Sequence, residues 1–299
     1  MVSRKLGIVI IVLGVVGHSA ASTWADEDRD ESTGNATGPG GRYFFGLLDS
    51  RSSFGKDFFP DPFVGPDFDT ETQLELDYFH AQSPNLRNDE VDGGFQWNVL
   101  GQLTVAAEFG WDRESDGHAD DPSGFENVDL AIYHPLFQYV STDGFFDYTA
   151  AGRLDVAIPT RTAVSGTDVE LMPYLGQLLR VGAHLSIQAW TGTQLTLGPD
   201  ATSDDTFVYG VLLGWRIGHS EMPVPLTDNI TPLLELDGQS PFSAAGGQDA
   251  LSGVAGVNFN FKSIGRAQPA LYIGWQFPID QGARNQFRWG IITEIFLQF

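Results

Sequence analysis

The densest run of chemistry-bearing side chains is acidic. Asp112, Glu114, Asp116, Asp120 and Asp121 crowd one stretch with Gly117 and His118. Carboxylate oxygens are the hard ligands that Ca²⁺ takes, but an EF-hand needs them at fixed positions around a glycine, and this spacing does not supply them. Acidic surface loops are ordinarily just solvated, so no metal is assigned. The histidines after residue 25 are His80, His118, His134, His184 and His219. Serine hydrolysis needs a serine activated by a histidine that a third polar group orients. Ser141 follows His134 at a short interval, but His134 stands directly before Pro135 and reads as a polar strand-end residue. Paired carboxylates can hydrolyse glycosides, yet acids are abundant here and no pair is singled out. There is no phosphate-cradling glycine loop and no zinc spacing. With no cysteine, thiolate chemistry is excluded. The sequence therefore predicts no catalytic residue, no metal and no cofactor.

Charge narrows the partners. Asp and Glu number 39 against 16 Lys and Arg, a formal net charge of −23. Nucleic acid phosphates demand cations, so no nucleic acid is expected, and adhesion to anionic lipid is disfavoured as well. Acidic loops and attraction for cations are the natural uses of such a balance.

The elements that position these residues begin with an export signal. Arg4 and Lys5 precede an apolar run from Leu6 to Val16, small residues come next, and Ala25-Asp26 forms a cleavage junction, with Ala21 the other candidate. This pattern predicts a signal peptide over 1–25. Residues 26–41 are acidic and rich in Ser, Thr, Gly and Asn, the composition of a disordered linker. Residues 42–69 carry Phe44, Phe45, Phe54, Phe58, Phe59, Phe63 and Phe68 among Gly, Pro and Asp. That is too aromatic for free coil and too broken for a long helix. It predicts an ordered segment that plugs or caps the remainder of the chain.

From residue 70 to 299 the period is two. Phe207, Tyr209, Val211, Leu213 and Trp215 alternate with Val208, Gly210, Leu212, Gly214 and Arg216, and 102–112 and 287–299 read alike. Alternation puts an apolar face and a small or polar face on opposite sides of each strand. About twelve such segments succeed one another, each near the length of a tilted membrane strand. They are joined alternately by tight turns, around Gly101, Ser141 to Gly144, Leu179-Arg180 and Ser263 to Arg266, and by longer polar loops, the first over Pro84 to Asp92. Gly218 to Asp228 is the one long connection on the tight side. The expected fold is all-β: a single antiparallel transmembrane β-barrel with short periplasmic turns and longer extracellular loops. Trp111, Trp275 and Trp289 fall near one rim and Trp215, Phe261 and Phe299 near the other, as aromatics at the two membrane interfaces should. The same register turns Glu75, Asp77, Glu108, Asp129, Asp155, Glu170, Glu235 and Glu294 inward with Arg153, Arg216, Lys262 and Arg288. Pro232 and Pro269 are expected at strand starts, and Pro173 at a bulge or early strand end.

The last strand, with aliphatic residues at alternate positions and Phe299 at its end, resembles the C-terminal recognition strand of bacterial outer-membrane proteins, which the barrel-assembly machinery reads. The body of the chain resembles the broad "MetA-pathway of phenol degradation" group of outer-membrane proteins, often labelled transporters. That likeness rests on Phe125-Glu126-Asn127-Val128-Asp129-Leu130 before Tyr133 and Leu136, and on Trp289-Gly290-Ile291-Ile292-Thr293. The resemblance implies a Gram-negative outer-membrane location, lipid around the barrel, and passive passage of a small solute. The acidic lining points to cations or neutral molecules. The alternative is a closed barrel that is structural or displays its loops as a binding surface, and an outer-membrane hydrolase is a minor third reading.

Overall fold

A computed structural model of the chain describes residues 41–44, 59–68, 72–83, 86–99, 103–115, 122–165, 167–198, 205–242 and 247–299. The segment 1–25, most of 26–41, and Asp116 to Asp121 of the acidic stretch lie outside the described residues. The strands are β1 (Gly41–Phe44), β2 (Gln73–Gln82), β3 (Arg87–Asn98), β4 (Thr104–Ser115), β5 (Ser123–Val140), β6 (Phe146–Ile158), β7 (Val169–Val181), β8 (Leu185–Leu197), β9 (Thr206–Trp215), β10 (Ile217–Gly218), β11 (Thr227–Pro241), β12 (Ala250–Phe261), β13 (Gln268–Pro278) and β14 (Trp289–Gln298). A short helix, α1 (Gln281–Gln286), precedes the last strand.

Twelve of these strands form a closed antiparallel ring. Each pairs with its neighbours in sequence from β2 to β9 and on through β11 to β14. The ring shuts where β14 pairs with β2, from Gln298 opposite Gln73 to Trp289 opposite Gln82. The two remaining strands are accessories. β10 pairs with β11, and β1 pairs with the end of β5, Gly41 opposite Val140 and Phe44 opposite Phe137. β5 needs this second partner because it runs past the start of β4, which covers it only from Ser123 to Tyr133.

Both ends of the barrel chain, Gln73 and Gln298, lie at one rim, and the connections there are mostly tight. The third of these turns falls at Gly182, not at Leu179-Arg180. Gly182 has φ of 65°, a left-handed backbone that glycine tolerates best, and β7 continues to Val181. Arg180 is an inward strand residue, 2% exposed, and its guanidinium donates to the carbonyls of Gly182 and Gly144, each at 2.7 Å. It ties two neighbouring turns together. At the opposite rim the first loop is shorter than its polarity suggests. Arg87 to Asp92 are strand residues, held by an outer-face network in which Asp89 accepts from Arg87 and Tyr78 and meets His80 Nδ1 at 2.8 Å. Pro173 neither ends β7 nor shifts its register, since Leu171 opposes Leu195 and Tyr174 opposes Gly192. Pro232 lies within β11, where that strand passes from β10 to β9 as partner.

The outer face is apolar. Leu76, Leu130, Ile132, Leu213, Ile273 and Ile295 are all exposed on it, a surface suited to lipid. The packed core is inside the ring. It gathers Leu178, Trp190, Leu212, Leu233, Val254, Tyr272, Ile292 and Phe296 around Phe59, Phe63 and Phe68. The adjacent leucines Leu212 and Leu213 mark the two environments, at 0% and 42% exposure. Leu213→Arg should therefore cost about 2–4 kcal/mol, the penalty for a cation deep on a barrel exterior. Leu212→Ala should cost a similar amount by opening a cavity in the packed interior. Reversible denaturant unfolding from lipid vesicles measures both, and a neutral Leu213→Arg would show that this face is not the lipid face.

Candidate functional site

The lumen is built around residues 59–68, Phe-Pro-Asp-Pro-Phe-Val-Gly-Pro-Asp-Phe. Proline at 60, 62 and 66 fixes much of the backbone in advance and leaves three consecutive amides, Phe63 to Gly65, free to donate. All three donate to the carboxylate of Glu235 on β11, at 2.6, 3.0 and 2.8 Å. Glu235 itself is fully buried. A carboxylate accepting several amides is a strong, directional anchor. Further lumen side chains bond to other parts of the segment. The Tyr272 hydroxyl accepts from the Asp61 amide, Gln188 donates to the Pro60 carbonyl, Arg153 donates to the Asp67 carbonyl and Gln96 donates to the Asp67 carboxylate. The rings fit against glycines on the wall. A Cβ at Gly176 would collide with Phe68, and one at Gly256 or Gly274 would press on Phe63.

Beside this segment the lumen divides. A cavity of about 510 Å³ borders Val64 to Pro66 and is walled by Glu75 of β2, Glu90 of β3, Glu108 and Asp112 of β4, Glu126 and Asp129 of β5, Asp155 of β6 and Glu170 of β7. Among the described residues, Arg153 is the one basic member of its lining. That guanidinium is already committed, with Nε 2.7 Å from Asp155, Nη1 2.6 Å from the Asp67 carbonyl, and its carbon 5.4 Å from the centre of the Tyr133 ring. A second cavity of about 430 Å³ borders the same Val64 to Pro66 and is less acidic, lined by Phe79, Trp190, Tyr209, Asp237 and Gln276 among others. Toward the tight-turn rim the interior is filled by buried amides: Gln138, Gln188, Asn229, Asn258 and Asn260.

The residues singled out in the sequence scatter within this frame. Glu75, Glu108, Asp129, Arg153, Asp155 and Glu170 share the acidic cavity. Asp77 opposes Glu294 across β2 and β14, and Glu294 is 5% exposed. Glu235 holds the central segment. Arg216 sits just past β9 at the tight-turn rim, 3.9 Å from Asp228. Lys262 and Arg288 are not lumen residues. β12 ends at Phe261 and β14 begins at Trp289, so both lie in connections, exposed. Trp111, Trp275 and Trp289 stand toward the long-loop rim and Trp215, Phe261 and Phe299 toward the other; Trp97 joins the latter, exposed on β3. Ser141 is a turn former. Its hydroxyl donates to Asp143 at 2.6 Å and accepts from the Phe146 amide. With the Phe145 amide it holds the Asp143 carboxyl below the usual range. Three inward acids escape the sequence reading: Glu90 and Asp92 share the inward parity of Gln96 on β3, whereas Glu126 lacks the inward parity of Asp129 on β5. The first two fall in a stretch whose polarity reads as loop, and the third is carried inward by a bulge in β5 opposite Phe109 to Trp111.

A closed ring of twelve strands, apolar without and polar within, decides the architecture. The fold is that of an outer-membrane β-barrel. Among solved structures the barrel is similar to an outer membrane channel from Pseudomonas putida F1, at 12% identity over 80% of this chain and 99% of that one, with a TM-score of 0.50. It is also similar to the KdgM porin, at 11% identity over 75% of this chain and 98% of that one (TM-score 0.41), and to LpxR from Salmonella typhimurium, at 7% identity over 76% and 100% (TM-score 0.41). Likeness at these identities is likeness of fold. No protein-family model matches the chain, and no curated protein does.

The Glu235 anchor is testable without any assay of transport. Glu235→Ala should free residues 59–68 while the ring persists. Protease cleavage between Phe59 and Phe68 should become about tenfold faster or more, since hydrogen bonds to a charged group contribute about 1.5–3 kcal/mol. The band should still shift on gels when boiled. Unchanged protection would place the anchor elsewhere.

Proposed function

We propose that this barrel is an outer-membrane channel or transporter for small solutes, with a preference for cations or neutral molecules. The observation that carries the reading is the acidic cavity beside Val64 to Pro66, where eight carboxylates face one committed arginine. Low-dielectric walls concentrate such a potential. Export through the segment 1–25, recognition of the strand ending at Phe299 by the barrel-assembly machinery, and kinship with the "MetA-pathway of phenol degradation" group belong to the same proposal. A second reading has its own support. Residues 59–68 occupy the middle of the lumen and buried amides fill the tight-turn half, so a barrel that stays closed and serves as a structural or surface-binding element is the alternative.

Planar bilayers separate the two. Deleting residues 59–68 should raise conductance over that of the full chain. The open form should favour cations, with the preference weakening as salt shortens the Debye length from about 10 Å at 0.1 M to about 3 Å at 1 M. Silence from both forms would leave the closed barrel standing, and an anion-selective current would contradict the acidic-wall account. In cells, the mature chain should fractionate with the outer membrane and show heat-modifiable mobility. A chain ending at Gln298 should insert poorly, because its loss would fall on the recognition strand; normal insertion would deny Phe299 that role.

A further inference from the structure

Toward the long-loop rim the acidic wall contains a distinct constellation. Glu90 and Asp92 project inward from β3, Asp112 from β4 and Glu126 from β5, and ligand oxygens of Glu90, Asp92 and Glu126 all lie within 4.8 Å of one another. Three features of the backbone bring them together. Glu90 and Asp112 are direct cross-strand partners. The bulge in β5 sets Phe125 to Val128 against Phe109 to Trp111, which brings Glu126 to the cavity wall beside Asp129. Gly110 lies between: a Cβ there would overlap the Asp92 carboxylate and stand 3.5 Å from the Glu126 carboxyl carbon. A missing side chain on β4 is what lets carboxylates from β3 and β5 meet above it.

A second observation points to something these groups would hold. Asp112 is 7% exposed and lines the same cavity as Glu90 and Glu126, yet its Oδ1 has no hydrogen-bond partner among the described residues. The side-chain oxygen of Asn88, another lining residue, is likewise buried without a described partner. A buried oxygen left unsatisfied is costly, and the neighbouring carboxylates add repulsion. Two guanidiniums of the neighbouring strands are engaged elsewhere: Arg153 with Asp155 and the Asp67 carbonyl, Arg87 with Asp89.

We infer that Glu90, Asp92, Asp112 and Glu126 form a binding site for one divalent metal ion of the Ca²⁺ class, with Asn88 as an additional oxygen donor. Ca²⁺ takes about six to eight oxygens in flexible geometry, which four carboxylates on three strands and an amide can approach together with water. The inference does not depend on whether the barrel conducts.

Calorimetric titration of CaCl₂ into the folded full chain in detergent at neutral pH tests it. The expected result is a saturable site that Asp112→Asn and Glu126→Gln each weaken by about tenfold or more, as loss of ligand charge does. Gly110→Ala, which keeps every carboxylate but fills the gap, should weaken it too. Asp143→Asn, in an exposed turn, should leave it unchanged. Heat-modifiable mobility reports folding for each variant, and Glu126→Gln carries the test should Asp112→Asn not fold. Absence of saturable Ca²⁺ binding by the wild-type chain would overturn the inference. So would wild-type affinity in Asp112→Asn and Glu126→Gln, or an equal loss in Asp143→Asn, which would mark the binding as a response to overall charge.

Discussion

Everything in this molecule depends on the pairing of the last barrel strand with the first. Backbone N–H and C=O groups facing hydrocarbon have no water to turn to, so a sheet can stand in a bilayer only if it has no edge. β14 supplies the missing partner for β2 along its whole length, from Gln73 to Gln82. Once that ladder is made, inside and outside become different solvents, and each side chain is assigned to one of them by its parity along the strand. The same requirement explains β1. Where β5 extends beyond β4, four residues from the start of the described chain take the place that β4 leaves.

Closure creates a second problem, that of filling the interior. A ring of twelve strands is wider than its own side chains can span everywhere. This chain fills one half with buried amides and the middle with residues 59–68, and leaves acid-lined space toward the long-loop rim. The division comes from residue size. Glycines at 176, 256 and 274 make hollows for Phe68 and Phe63, whereas carboxylates converge where β3, β4 and β5 present acids on neighbouring inward positions.

Much of this is legible in the sequence because period-two alternation is a direct imprint of a two-sided wall. The ring, the facing of Leu212 and Leu213, and the interior position of Glu235 all derive from parity. The failures have physical causes of their own. Arg87 to Glu90 are polar on both faces and Val91 alone marks the outer one, so alternation is faint there, and Asp89 is held by partners on β2 that no local window can see. Glu126 has the wrong parity and reaches the lumen only through an inserted residue. Lys262 and Arg288 carry lumen parity but stand one residue outside the strand ends, exposed at the rims, although their amides still donate to Leu226 and Gln82. The phenylalanines before residue 69 signal that something must pack; nothing in their spacing could show that Glu235, far along the chain, would gather three of the segment's amides.

The path of that segment has a topological consequence. Phe44 pairs with Phe137 toward the tight-turn rim, and Gln73 opens β2 at the same rim. The stretch of chain that carries Phe59 to Phe68 is therefore tethered at both ends to one mouth of the barrel. Withdrawing it would sever side-chain contacts around Glu235, Tyr272, Gln188 and Arg153, while every rung of the ring stayed intact. The wall and its contents are thus held by two separate sets of bonds, the ring by its backbone ladder and residues 59–68 by side chains of the inner face.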